Sequence, residues 1–221
     1  MPSVDLIIVP QGAESQVVHR AVKQCGKKSV DIMTIPLGNN VPSTLAIQSQ
    51  KLNRANRVVL MGLCGSLSQD YGIGNTVVVN SCQNQFQQQL NFDKELTAQI
   101  KERLKVDAVS GLTSDRIINQ ANHKQELGEQ YGTSIVEMEG YYWAELLQRR
   151  GISMAMVRVV SDDLGGDIPD LSSAVTSEGN LQALSLTRIM VKQPRAAIKL
   201  IIGSLKGLNA LKKTTVKLLS S

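Results

Sequence analysis

Short apolar runs recur along this chain, each closed by glycine, proline or a polar cluster, and segments with helical spacing lie between them. Leu6-Ile7-Ile8-Val9 ends in Pro10-Gln11-Gly12, which predicts a buried strand and a tight turn. Val17, Val18, Ala21 and Val22 share one face of the helix expected next. Val30 to Ile35 reads as a second strand, and Ser43 can cap a helix running to about Lys51. Arg57 to Gly62 is a third strand, expected to end in a turn at Gly62-Leu63-Cys64-Gly65-Ser66. Thr76 to Asn80 is a fourth, followed by a glutamine-rich surface loop from Gln83 to Gln89. Further on, the pattern predicts helices at 95–104, 124–131 and 141–150, and strands at 108–113, 134–136 and 154–160. The last of these strands is apolar except for Arg158. Strands alternating with helices argue for a central, largely parallel sheet covered on both faces, with function at the carboxyl ends of the strands.

The tail follows a different pattern. Ile198, Ile201, Ile202, Leu205, Leu208 and Leu211 recur at helical spacing, with Lys199, Lys206, Lys213 and Lys217 beside them, so 195–221 reads as a basic amphipathic helix behind a domain spanning 1–194. Gly203 and Gly207 lie four apart, a weak sign of close helix packing. The net charge of +5 sits in this tail, because Glu178 is the last acidic residue and eight lysines and arginines follow it. Such asymmetry suits an anionic partner or a solubilising helix. Aromatic content of 3% leaves few platforms for stacking bases, which argues against a nucleic-acid binder.

At 221 residues the chain suits one domain that needs no staple to bury its core. Its three cysteines form no CxxC or Cys/His cluster, so neither a disulfide framework nor a zinc site is expected, and a reducing cytoplasm is the simplest compartment. No signal peptide or membrane-spanning run is read. Cys64 lacks a histidine partner and reads as a small apolar residue. His19 and His123 are isolated, and Tyr142 and Trp143 read as core or interface. Carboxylates do gather at strand ends: Glu14 after the first strand, Glu137 and Glu139 after the 134–136 strand, Asp162 and Asp163 after the 154–160 strand.

Four segments stand in a telling order. They are Val59-Leu60-Met61-Gly62-Leu63-Cys64-Gly65-Ser66-Leu67 with Gly72-Ile73-Gly74-Asn75-Thr76-Val77-Val78-Val79 behind it, Ser114-Asp115-Arg116-Ile117-Ile118, Val136-Glu137-Met138-Glu139-Gly140, and Arg158-Val159-Val160-Ser161-Asp162. On these the chain resembles the purine nucleoside phosphorylase and methylthioadenosine/S-adenosylhomocysteine nucleosidase superfamily. The resemblance implies a three-layer α/β/α sandwich around a mixed, mainly parallel sheet, and cleavage of the bond between a purine, here adenine, and a ribose. It makes Asp162 the general acid that protonates the departing base. Glu139 would bind the ribose hydroxyls, Met138 would pack on the sugar, and Glu137 would join the sugar or water network. Ile117, Ile118, Val136 and Ser161 would line the base pocket, with Gly62, Cys64 and Gly65 forming a turn beneath the ligand. Glu14 is the expected activator of the nucleophile, with Gln16 as the alternative occupant of that position.

Water and phosphate both stay open as the nucleophile. No cofactor is expected beyond phosphate as a co-substrate, and no metal. Asp167-Ile168-Pro169, Glu178-Gly179, Gln193-Pro194 and the basic helix together look like the hopanoid-associated phosphorylases, which release adenine from adenosylhopane. That likeness would give 195–221 a peripheral contact with the inner face of a membrane. The alternatives are a soluble methylthioadenosine/S-adenosylhomocysteine nucleosidase and a non-catalytic nucleoside-binding protein, the latter suggested by the untidy first loop and Asn75. The family also implies a homo-oligomer.

Overall fold

The computed structural model describes residues 4–27, 29–38, 50–171, 174 and 182–220. Among the described residues eight strands form one sheet: β1 (Leu6–Pro10), β2 (Asp31–Ile35), β3 (Arg57–Ser66), β4 (Thr76–Asn84), β5 (Gln89–Asn91), β6 (Ala108–Thr113), β7 (Ile135–Glu137) and β8 (Ser153–Asp162). The helices are α1 (Ala13–Gln24), α2 (Lys94–Leu104), α3 (Ala121–Tyr131), α4 (Gly140–Arg149), α5 (Ala183–Lys192) and α6 (Pro194–Leu219). Residues 50–54 are also helical; the rest of the helix expected from Ser43 lies outside the described residues, as does Glu178-Gly179.

Parallel pairing joins β1 to β2 and β3, β3 to β8, β4 to β6 and β6 to β7, while β3–β7, β4–β5 and β4–β8 are antiparallel. The sheet is therefore mixed and mainly parallel, as expected. Unlike the open sheet that simple alternation suggests, β3, β8, β4, β6 and β7 close on themselves. β3 and β8 are each ten residues long, long enough to serve more than one neighbour. Val18, Val22, Ile100, Leu211 and Leu218 from α1, α2 and α6 cover one face, and Tyr141, Trp143 and Leu147 from α4 cover the other. Burying both faces accounts for the unbroken apolar run of β1 and for that of β8, which only Arg158 interrupts.

Three expectations are corrected. The glycine segment is not a turn: Gly62, Cys64 and Gly65 lie within β3, which runs parallel to β8 as far as Cys64 and shifts register between Cys64 and Gly65. The glycines serve close approach instead. A Cβ on Gly62 would stand 2.4 Å from Arg158 Nη1 and 2.7 Å from Glu14 Oε2, and one on Gly65 would stand 3.0 Å from Asp162 Oδ2. The glutamine-rich stretch is not a plain loop either, since β4 continues to Asn84 and turns back into β5. Asn84 Oδ1 closes that hairpin by accepting from the Phe86 and Gln88 N–H groups.

The third correction concerns the tail. Pro194 opens α6 at the expected place, but the helix is built into the domain rather than appended to it. Its buried residues include Ala197, Gly203, Gly207, Leu211, Thr214, Thr215, Leu218 and Leu219, whereas Ile198, Ile201, Ile202 and Leu205 of the expected apolar face are exposed. Gly203 and Gly207 let the helix lie directly on the end of β8, because a Cβ at Gly203 would meet the Ser161 carbonyl oxygen at 2.1 Å.

Candidate active site

The carboxyl ends of β1, β3, β7 and β8 open onto a cavity of about 210 Å³. Its wall takes in Glu14, Cys64, Gly65, Ile117, Ile118, Val136, Glu137, Met138, Glu139, Ser161 and Asp162, so every site residue named from the sequence lies on it except Gly62. Gly62 sits just outside, against Glu14 and Arg158. Gln16 is exposed on α1 and off the wall, whereas Glu14 lies on it.

The Glu137-Met138-Glu139-Gly140 segment divides its labour. Helix α4 begins here with N–H groups that need acceptors. Glu137 Oε2 takes those of Glu139 (3.0 Å) and Gly140 (2.7 Å), and Thr113 Oγ1 takes that of Tyr141 (2.9 Å). The Glu137 carboxylate also accepts from the Thr113 hydroxyl and from Arg158 Nη2. It is fully occupied and positions its neighbours. Gly140 is needed because a Cβ would lie 2.8 Å from Glu137 Oε1 and from Met156 Sδ. Glu139 accepts from Arg158 Nη2 at 2.9 Å and from the Gly38 N–H at 3.0 Å. Met138 stands beside Gly38 on the cavity wall.

Arg158 is the hub of this end and was not named as a site residue. It is completely buried, and it bridges Glu137 and Glu139 while its Nε and Nη1 have no hydrogen-bond partner among the described residues. Nη1 faces Gly62 beside Glu14. A buried donor left without an acceptor is costly, so this position suits a bound polar atom. Glu14 accepts the Leu63 N–H at 2.6 Å. Loss of water around its carboxyl pushes its pKa up from 4.5 to about 7, against the pull of the Leu63 N–H and the Arg158 charge. Burial, only partly offset by Arg158, likewise raises Glu139. Burial holds the Cys64 thiol well above its ordinary range, so it stays protonated and is no nucleophile.

Asp162 lies at the other end. Ser161 Oγ donates to its Oδ1 at 3.2 Å, and Lys124 Nζ, from α3, contacts its Oδ2. Lys124 is fully buried and also was not named from the sequence. The Arg116 turn, Leu37, Ile168, Leu171 and Leu200 of α6 complete the wall. His19 and His123 do not reach it. Among the described residues no group of three or more His, Cys, Asp or Glu side chains could hold a metal ion.

Fold and site together define an α/β protein with paired acids at the ends of a mixed sheet. The model of the phosphorylase superfamily matches residues 19–192, and the chain belongs to that superfamily. No curated protein matches it by sequence. Solved structures resemble it in fold. A 5′-methylthioadenosine/S-adenosylhomocysteine nucleosidase from Helicobacter pylori, with butyl-thio-DADMe-Immucillin-A, is similar at 17% identity and a TM-score of 0.65, covering 95% of this chain and 96% of that one. The corresponding nucleosidase from Neisseria meningitidis, in complex with methylthio-immucillin-A, gives 12% identity and a TM-score of 0.69 over 96% and 97%. Futalosine hydrolase of Helicobacter pylori gives 18% identity and a TM-score of 0.62 over 90% and 96%.

Proposed function

We propose that this chain cleaves the N-glycosidic bond of an adenine nucleoside with water as the nucleophile. The observation that carries this reading is one strand serving two ionisable groups: on β3, Gly62 approaches Glu14 and Gly65 approaches Asp162. Three residues of extended chain separate the two contacts by about 10 Å, room for a base and its anomeric carbon between them. Glu14, with its carboxyl near neutrality, takes a proton from water, which the orphaned Arg158 Nη1 helps to hold. Glu139 binds the sugar and stabilises positive charge growing on it, and Asp162 passes a proton to the leaving base. Three glutamates around one arginine leave the nucleophile end negative, which disfavours a phosphate dianion. Adenine release from methylthioadenosine in phosphate-free buffer tests the reading. Asp162→Asn should lower the rate by roughly 10²–10⁴, and a wild-type chain that binds the nucleoside without releasing base would refute it.

A second reading concerns the sugar substituent and rests on α6. Leu200 of this helix lines the cavity, while Ile198, Ile201, Ile202 and Leu205 are exposed on it, with Lys192, Arg195 and Lys206 exposed nearby. An apolar stripe flanked by bases suits an anionic lipid surface, and a cavity bordered by the same helix suits a lipid-linked adenosine. Among the described residues no helix is long and apolar enough to cross a membrane, so the contact would be peripheral. The homo-oligomer expected of the family would then form through another face. Co-sedimentation with phosphatidylglycerol vesicles should fall sharply in the Ile201→Asp, Leu205→Asp double variant. Equal binding by both chains, or a dimer dispersed by those substitutions, would reject the lipid contact. Truncation at Pro194 is no substitute, because Leu211, Leu218 and Leu219 belong to the core.

A further inference from the structure

Helix α3 has an outward-looking sequence, Ala121-Asn122-His123-Lys124-Gln125-Glu126-Leu127-Gly128-Glu129-Gln130-Tyr131, and its one buried residue is a lysine. Packing alone would favour an apolar side chain there, since an ammonium taken out of water is costly unless paired. The pair is Asp162, and among the described residues it is the only hydrogen-bonded partner of Lys124 Nζ. One turn further along α3, Gly128 allows the approach: a Cβ there would meet the Leu67 carbonyl oxygen at 2.5 Å, so only glycine lets α3 lie close against the end of β3. The other oxygen of Asp162 is satisfied by Ser161 Oγ at 3.2 Å, which leaves Oδ2 as the oxygen facing Lys124 and the floor at Gly65.

An ammonium touching a carboxylate keeps its proton. As the carboxylate of that ion pair, Asp162 has no proton of its own to give a departing purine. We propose that Lys124 supplies that proton through Asp162. This rests on the glycosidic reading above. As the C1′–N9 bond breaks, its electron pair moves into the purine. Lys124 Nζ gives a proton to Asp162 Oδ2, and Oδ2 gives it to the imidazole-ring nitrogen of the base. Water adds to C1′ and loses its own proton to Glu14. Lys124 has then lost one proton and Glu14 has gained one, and solvent restores both after the products leave. The net charge of the pocket is unchanged through bond cleavage. A purine leaving as an anion is far more basic than a carboxylate, so an ammonium donor is better matched to it than a carboxylic acid would be. Lys124 never touches the base; it is a positioning residue that acts through Asp162.

Two substitutions and two leaving groups separate this role from a structural one. Lys124→Arg keeps a cation that can pair with Asp162 but does not give up its proton, and Lys124→Met removes the charge. The probes are methylthioadenosine, whose adenine needs a proton, and p-nitrophenyl 5-methylthioriboside, whose phenolate leaves without one. Both variants should lose about 100-fold or more in adenine release, while cleavage of the aryl riboside by Lys124→Arg stays within about threefold of wild type. Full adenine release by Lys124→Arg would reduce Lys124 to a holder of Asp162 and overturn the proposal. Equal losses on both probes would also overturn it, by showing damage to the pocket as a whole. If Lys124→Met fails to fold, the arginine variant still decides. A wild-type chain that cleaves neither probe would instead bring down the underlying glycosidic reading.

Discussion

At one end of the cavity three glutamates share a single buried arginine, while at the other one aspartate has a buried lysine to itself. The first arrangement has more negative than positive charge and too little water, and one member, Glu14, relieves the excess by holding its proton up to about pH 7. The second is balanced. A group that must accept a proton near neutrality belongs in the crowded cluster, and one that must relay a proton belongs beside a donor. Environment thus sets apart two carboxylates, Glu14 of α1 and Asp162 of β8, that lie against neighbouring stretches of β3, and suits them to the opposite tasks proposed for them.

Removing the hub of the crowded end should have the largest effect. Arg158→Met leaves Glu137 and Glu139 buried without a counter-charge, and should cost about 3–5 kcal/mol of stability. A thermal or denaturant melt reads this directly, and a melt unchanged from wild type would show that the cluster does not depend on Arg158.

Glu14→Gln sharpens the comparison on activity and stability together. Base release should fall by roughly 10²–10⁴, and the wild-type rise in kcat/KM through about pH 7 should disappear with it. Because the folded chain holds the Glu14 proton more tightly than the unfolded chain does, the stability contribution is intact below about pH 4.5 and is lost as pH rises through about 7. Glutamine cannot ionise, so the variant should melt at or above the wild-type temperature at pH 8, with the gap closing toward pH 4.5. A gap that widens on acidification would mean that the carboxylate is stabilised in place.

The glycines of α6 should have the smallest effects, with Gly203→Ala costing about 1–3 kcal/mol from a clash with the Ser161 carbonyl. Gly207→Ala meets mainly the movable Leu63 side chain and should cost less. If the two cost the same in equilibrium melts, α6 does not bear on β8 as described.

Legibility from sequence differed by region for physical reasons. Buried strands announce themselves as apolar runs, so Ala108–Thr113 and the core of β8 were readable. Gly62-Leu63-Cys64-Gly65 was misread because glycine marks both turns and close approaches, and only the positions of Glu14, Arg158 and Asp162 tell them apart. Arg158 leaves a trace, a charge in the middle of an apolar strand. Lys124 left none, since a lysine on a polar helix looks solvated, and its burial depends on Gly128 and on an aspartate 38 positions away. In the tail, the apolar stripe and the bases mark an amphipathic helix, but the spacing of Gly203 and Gly207 is a weak signal by itself, and only their contact with the end of β8 shows that they carry the packing.

The central claim, acid and base at opposite ends of one cavity with water between them, is tested most directly by the sugar product. Methylthioadenosine should be incubated with the chain in ¹⁸O-labelled water containing phosphate, and the products read by mass spectrometry. The account predicts free adenine and a free methylthioribose carrying one ¹⁸O at its anomeric carbon. An unlabelled sugar 1-phosphate would contradict it, and would assign the space beside Arg158 to phosphate instead of water.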